Sequence, residues 1–118
     1  MSALPPRPAR HELPVIDEAA LVAARHADRV VAAARAAATA GTPGATRWAA
    51  FLEPMPERLR DASPGELRVV ARRARAAYGP KDSVADVVPT ELALAFRDAI
   101  DDLARILARH EAMERGAE

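Results

Sequence analysis

The 118-residue chain contains no cysteine, which excludes disulfides, thiolate catalysis and cysteine-ligated zinc. Aromatic side chains are almost missing: Trp48, Phe51, Tyr78 and Phe96 are the full set. Lysine occurs once, as Lys81, against 16 arginines. Charge of one sign is missing as well. The 17 basic and 17 acidic residues cancel, so there is no global pull toward nucleic acid or a membrane surface. No apolar run approaches the roughly 20 residues needed to cross a bilayer, and the N-terminus has no apolar core of a signal peptide. A cytoplasmic protein without membrane contact is therefore expected.

Catalytic signatures are also lacking. The five glycines are scattered in turns, so there is no phosphate-cradling loop, and neither a G-x-S-x-G elbow nor H-E-x-x-H occurs. His11, His26 and His110 are never three or four residues apart. Asp98, Asp101 and Asp102 share a helix face but have no Glu-x-x-His partner, so a di-iron site of the bundle type is not supported. No cofactor, metal or catalytic residue is expected.

What the chain does have is alanine, 30 residues of it. Alanine has the highest helix propensity and buries little area, so such helices approach closely yet gain little from each contact. A marginal monomer that gains stability by self-association is the expected consequence. Two readings of the arginine excess compete. GC-rich coding favours Ala, Arg, Gly and Pro together, whereas selection for bidentate contact with carboxylate or phosphate favours arginine alone. The alanine content needs the first reading in any case.

Residues 1–14, with four prolines, read as an extended N-terminal arm, and 15–118 as one helical domain. Asp17 is placed to cap a helix over 18–40 that ends at Gly41. In it Ala20, Ala24, Ala27, Val31, Ala34 and Ala38 form a heptad-like stripe. Thr42-Pro43-Gly44 is a turn. Short helices follow over 46–53 and 57–61, broken at Glu53-Pro54 because the residue before proline avoids helical geometry. Ser63, Pro64 and Glu66 write a capping box for a helix over 64–78. Gly79, able to take a left-handed backbone, and Pro80 end it. Asp82 is positioned to cap a short helix reaching Val88. Asp82-Ser83-Val84 resembles the serine attachment site of carrier proteins, but Pro89 ends the helix that such a site requires, so the triplet reads as a cap.

Thr90 caps the last helix, 91–115. Its seam runs Leu92, Phe96, Ala99, Leu103, Ile106, His110 and Met113, widened by Ile100 and Leu107. Leu94 points away from it. No strand pattern survives. The fold class is all-α: a small bundle of three longer helices, 18–40, 64–78 and 91–115, with short connecting helices.

Two constellations carry candidate chemistry. Arg68, Arg72, Arg73 and Arg75 form an arginine stripe able to clamp phosphate or an acidic partner, with Asp98, Asp101 and Asp102 on the last helix as internal partners. Read as a helix-turn-helix, 57–61 and 64–78 fail, because Pro64 to Leu67 would have to enter the groove and are used in starting the helix. Trp48, Phe51 and Tyr78 are the residues of a possible small pocket; the alternative is a plug for the end of the bundle. The expected function is a non-enzymatic protein-interaction or regulatory module acting as a homodimer. The alternatives are a nucleic-acid-binding accessory protein using the arginine stripe, and a small-pocket enzyme or ligand-binding protein.

Overall fold

The structure, a computed structural model, describes residues 8–79 and 83–116. These residues form no strand. Five α-helices follow one another: α1 Pro14–Thr39, α2 Ala45–Leu52, α3 Met55–Asp61, α4 Pro64–Arg75 and α5 Thr90–Gly116. The all-α bundle is as the sequence predicts. α1 packs along α5 and carries α2 and α3 on another side, while α4 packs on α5 and α3. The molecule measures 59 × 23 × 22 Å, with a radius of gyration of 16.0 Å. A compact chain of this length has about 13.5 Å. Two long helices lying side by side, not a globular core, set the shape.

α1 begins four residues earlier than expected. Pro14 occupies the first turn, where its fixed φ and missing N–H cost nothing, and the Asp17 N–H bonds the Leu13 carbonyl at 2.9 Å. Asp17 is therefore not the cap but an acid in the first turn, favourable toward the helix dipole. Its partner is Arg10, in a short 3-10 turn over Arg10–Glu12. The described end of the expected arm is thus built into the domain; residues 1–7 lie outside the described residues. At the other end of α1, Gly41 has φ 80. The Thr42 N–H reaches the Ala37 carbonyl at 2.9 Å and the Gly41 N–H the Ala38 carbonyl at 3.1 Å, the bonding of a Schellman stop.

The α1 stripe is buried from Ala20 through Ala34, with Ala38 only half-buried. The α5 seam needs correction. Phe96, Ala99 and Leu103 are buried as expected, but Ile106 and His110 are half-buried and Met113 is exposed. The buried row is instead Ala93, Phe96, Ile100, Leu103 and Leu107. A strict seven-residue repeat drifts about 20° per heptad on a 3.6-residue helix. The seam therefore rotates off the core as it runs toward the C-terminus. Leu94, whose position off the seam suggests a second contact near the start of the helix, is instead exposed.

Ser63 accepts a hydrogen bond from the Glu66 N–H at 3.3 Å, the N-cap of α4. The expected helix over 64–78 is α-helical to Arg75 and tightens into a 3-10 turn over Ala76–Tyr78. Gly79 is not left-handed but extended, at φ −73 and ψ 168. The Tyr78 hydroxyl donates to the Ala93 carbonyl at 2.6 Å; anchored there, the chain leaves straight. Asp82 and Pro80 lie outside the described residues. Ser83 is the cap, accepting from the Ala85 N–H at 3.2 Å, over a single 3-10 turn Val84–Asp86 where a longer helix was expected.

Burial pushes the Tyr78 phenol up to about 12, against the opposing effect of Arg97. Between the ordinary value of about 10 and 12 the folded chain keeps a proton that the unfolded chain has lost. Stability is full below about pH 10 and falls as the pH rises through 12. Denaturant unfolding at pH 9 and pH 11.5 is expected to show this decline in the parent chain and a smaller one in Tyr78→Phe. Equal declines would show that the phenol does not contribute.

Candidate interaction surface

The arginine stripe is largely occupied by the protein's own acids. Arg75 Nε lies 3.2 Å from Asp101 Oδ1, and Arg68 pairs with Glu111. The Arg68 guanidinium holds the Glu111 carboxyl below its usual range. Arg73 stacks over the Phe51 ring, 5.5 Å from its centroid. Arg72 has no ion pair among the described residues. Of the three aspartates expected as partners, Asp101 serves the stripe, and Asp102 pairs with Arg105 on its own helix. With Ala104 and Ala108, Arg68, Arg72 and Arg75 line a shallow groove of about 360 Å³ between α4 and α5, and Arg73 lies outside it. Elsewhere, too, arginine joins helices: Arg60 to Asp28, and Arg35 to Glu53 at 2.8 Å. The Arg60 hydrogen bond lowers the Asp28 carboxyl below its ordinary value.

Trp48 and Phe51 meet edge to face, with centroids 5.5 Å apart and planes at 86°. Both are half-buried against the core. Arg47 covers the Trp48 ring at 5.4 Å, so guanidinium groups sit over both rings. Tyr78 is fixed by its bond to Ala93. The clefts described here are lined by other residues.

A cleft of about 500 Å³ lies between the N-terminal segment, the start of α4 and the end of α5. Both of its arginines are paired, Arg68 with Glu111 and Arg10 with Asp17 at 2.9 Å, and His110 Nε2 lies 3.0 Å from Glu114 Oε1. No group of three or more metal-ligating side chains occurs among the described residues. No helix among them is long and apolar enough to cross a membrane.

An apolar surface lies where the α5 seam leaves the core. Leu13, Val15, Ile106 and Met113 line a groove of about 330 Å³ between the start of α1 and the end of α5. It continues as a second groove of about 280 Å³, lined by Val15, Ala19, Val22, Ala99 and Ile106. Val15 and Ile106 belong to both. Val15 is 64% exposed and Met113 68%, so large apolar side chains stand in water along this face.

Its α1 edge is acidic and its α5 edge mixed. Glu12 and Glu18 are on the α1 side; Arg109 and Arg105 are on the α5 side, together with Asp102, which Arg105 binds. Glu18 and Arg109 have no ion pair among the described residues. Met113 and Ile106, expected in the core seam, thus line a surface groove together with Val15. The signal was present: Val15, Ala19 and Val22 follow i, i+4, i+7 spacing, a second apolar stripe beside the alanine stripe of α1. Compared with protein-family models, with curated proteins and with solved structures, the chain matches none of them.

Proposed function

We propose that this protein is a non-enzymatic interaction module that works as a cytoplasmic homodimer, two copies joining through the α1–α5 face. One observation carries the reading: the continuous apolar groove in which Val15 and Met113 are left exposed. Exposed apolar residues scattered singly need no explanation, but a contiguous row along two helices marks a contact surface. The thin alanine core adds a reason, since association supplies burial that the monomer lacks. The absence of cysteine fits a reducing compartment. The arginine stripe offers less for nucleic acid, because Arg68 and Arg75 are already paired with carboxylates.

Sedimentation velocity at increasing micromolar concentration tests the proposal. The parent chain is expected to sediment as a dimer. Val15→Asp and Met113→Asp should each weaken the dimer at least tenfold, with helix content unchanged. A chain that stays monomeric at several hundred micromolar overturns the reading.

A further inference from the structure

The charges at the edges of the α1–α5 groove specify how two copies meet, an inference that rests on the proposed self-association. Within one chain the two helices run antiparallel. The start of α1, Glu12 to Ile16, lies level with Ile106 to Met113, and Val15 to Val22 lie level with Ala99 to Ile106. At matching heights along the groove, Glu18 therefore stands beside Arg105, and Glu12 beside Arg109. Both glutamates lie on the α1 side and both arginines on α5; Asp102, on the α5 edge as well, is held by Arg105, so Arg109 is the arginine of that edge without an ion pair among the described residues.

Two ways of placing one such face on another need comparison. If the two-fold axis runs across the helices, α1 lies on α1 and α5 on α5. Acid then faces acid, and arginine faces arginine. If the axis runs parallel to the helices, α1 of each copy lies on α5 of the other at an unchanged height. Each glutamate then faces an arginine of the second copy, and the exposed Val15 lies opposite Ile106.

We infer that the protein forms a two-fold dimer whose axis is parallel to α1 and α5, with Glu18 facing Arg105, and Glu12 facing Arg109, of the second copy. The size of the face sets the strength expected. The grooves run over Glu12 to Val22 on the α1 side and Ala99 to Met113 of α5, about 16–22 Å of helix. A two-helix face about 20 Å wide thus offers on the order of 400 Å² per copy, below the standard interface size and in keeping with a weak, concentration-dependent dimer. Like charges brought together across an interface suppress the wrong arrangement, and complementary ones fix the register.

The test is a set of charge reversals measured by sedimentation, with circular dichroism to check the fold. The chain carrying Glu12→Arg and Glu18→Arg should dimerise at least tenfold more weakly than the parent. The same holds for the chain carrying Arg105→Glu and Arg109→Glu. Combining all four changes in one chain should restore self-association to within about threefold of the parent. With the axis across the helices, none of these changes alters the sign of any facing pair. A parent dimer that both reversals leave unchanged therefore overturns this geometry while self-association stands. A parent chain that is monomeric removes both.

A second measurement does not depend on reversed charges, and it uses the absence of native cysteine. Chains with Val15→Cys and with Ile106→Cys are oxidised separately and mixed. The mixture should form interchain disulfide at least tenfold faster than either chain alone. A mixture no faster than the separate chains overturns the arrangement.

Discussion

Replacing Phe96 by alanine is expected to lower the unfolding free energy by about 3–5 kcal/mol, the largest effect of any single truncation in this chain. Phe96 is the largest fully buried side chain. It lies in the first turns of α5, in the buried row with Ala93 and Ile100. The removed ring takes away its transfer free energy and leaves a cavity, and the surroundings decide how much of that cavity closes. Here they close little. The α1 residues of the core are mostly alanine, from Ala20 to Ala34, and an alanine has no side-chain torsion with which to fill space. Small domains have only about 5–15 kcal/mol in total, so the variant loses a large fraction of its stability. Thermal denaturation should show a fall in melting temperature on the order of 15 °C. A fall below about 4 °C would mean that the helices collapse onto the gap, and that the alanine interface is softer than its packing indicates. Phe96→Leu, which keeps most of the volume, should recover more than half of the loss.

Arg10→Ala is expected to cost about 2–4 kcal/mol, far more than a typical surface arginine. The Arg10 side chain is only 10% exposed. Nη1 donates to the Leu59 carbonyl at 2.6 Å and the Ala62 carbonyl at 3.2 Å, at the end of α3. Nε donates to Asp17 Oδ1 at 2.9 Å. Nη2 lies equally close to that oxygen but off the hydrogen-bond line, and it has no other partner. One guanidinium thus satisfies carbonyls left open where α3 ends and neutralises an acid in the first turn of α1. Alanine leaves those groups to find water in a partly closed cleft. Arg10→Lys keeps the charge but not the planar fork, so it should recover less than half of the loss. Urea unfolding of the three chains checks this. An Arg10→Ala chain within 0.5 kcal/mol of the parent would show that the segment before α1 contributes nothing to stability.

The two residues differ in how far the sequence reveals them. Phe96 is legible: it recurs at helical spacing with Leu103 and Ala99, and periodicity identifies a buried face. Arg10 is not. It lies among Pro5, Pro6, Pro8 and Pro14, and local composition reads as an extended arm. Its partners Leu59 and Ala62 are about 50 residues away, and a backbone carbonyl carries no sequence signature. The arginine stripe falls between these cases. Its spacing on one face of α4 was readable, and the acids of α5 were identifiable as partners, but which acid pairs with which arginine depends on how the two helices are set. Glu111, not Asp98 or Asp102, reaches Arg68.

The five α-helices apart from their exact ends, the caps at Ser63 and Gly41, and the alanine stripe of α1 as far as Ala34 were determined by the sequence alone. They depend on propensity, periodicity and hydrogen bonds spanning a few residues, all local quantities. Which part of the α5 stripe is core and which is surface was decided only by the tertiary structure. The seven-residue repeat runs on through His110 to Met113, but a straight helix cannot keep every seventh residue on one side. Leu103 and Leu107 stay inside, while Ile106 and Met113 turn outward beside Val15. The surface proposed for dimerisation is the part of the seam that the bundle leaves uncovered, and only the packing of α5 on α1 and α4 shows where that part begins.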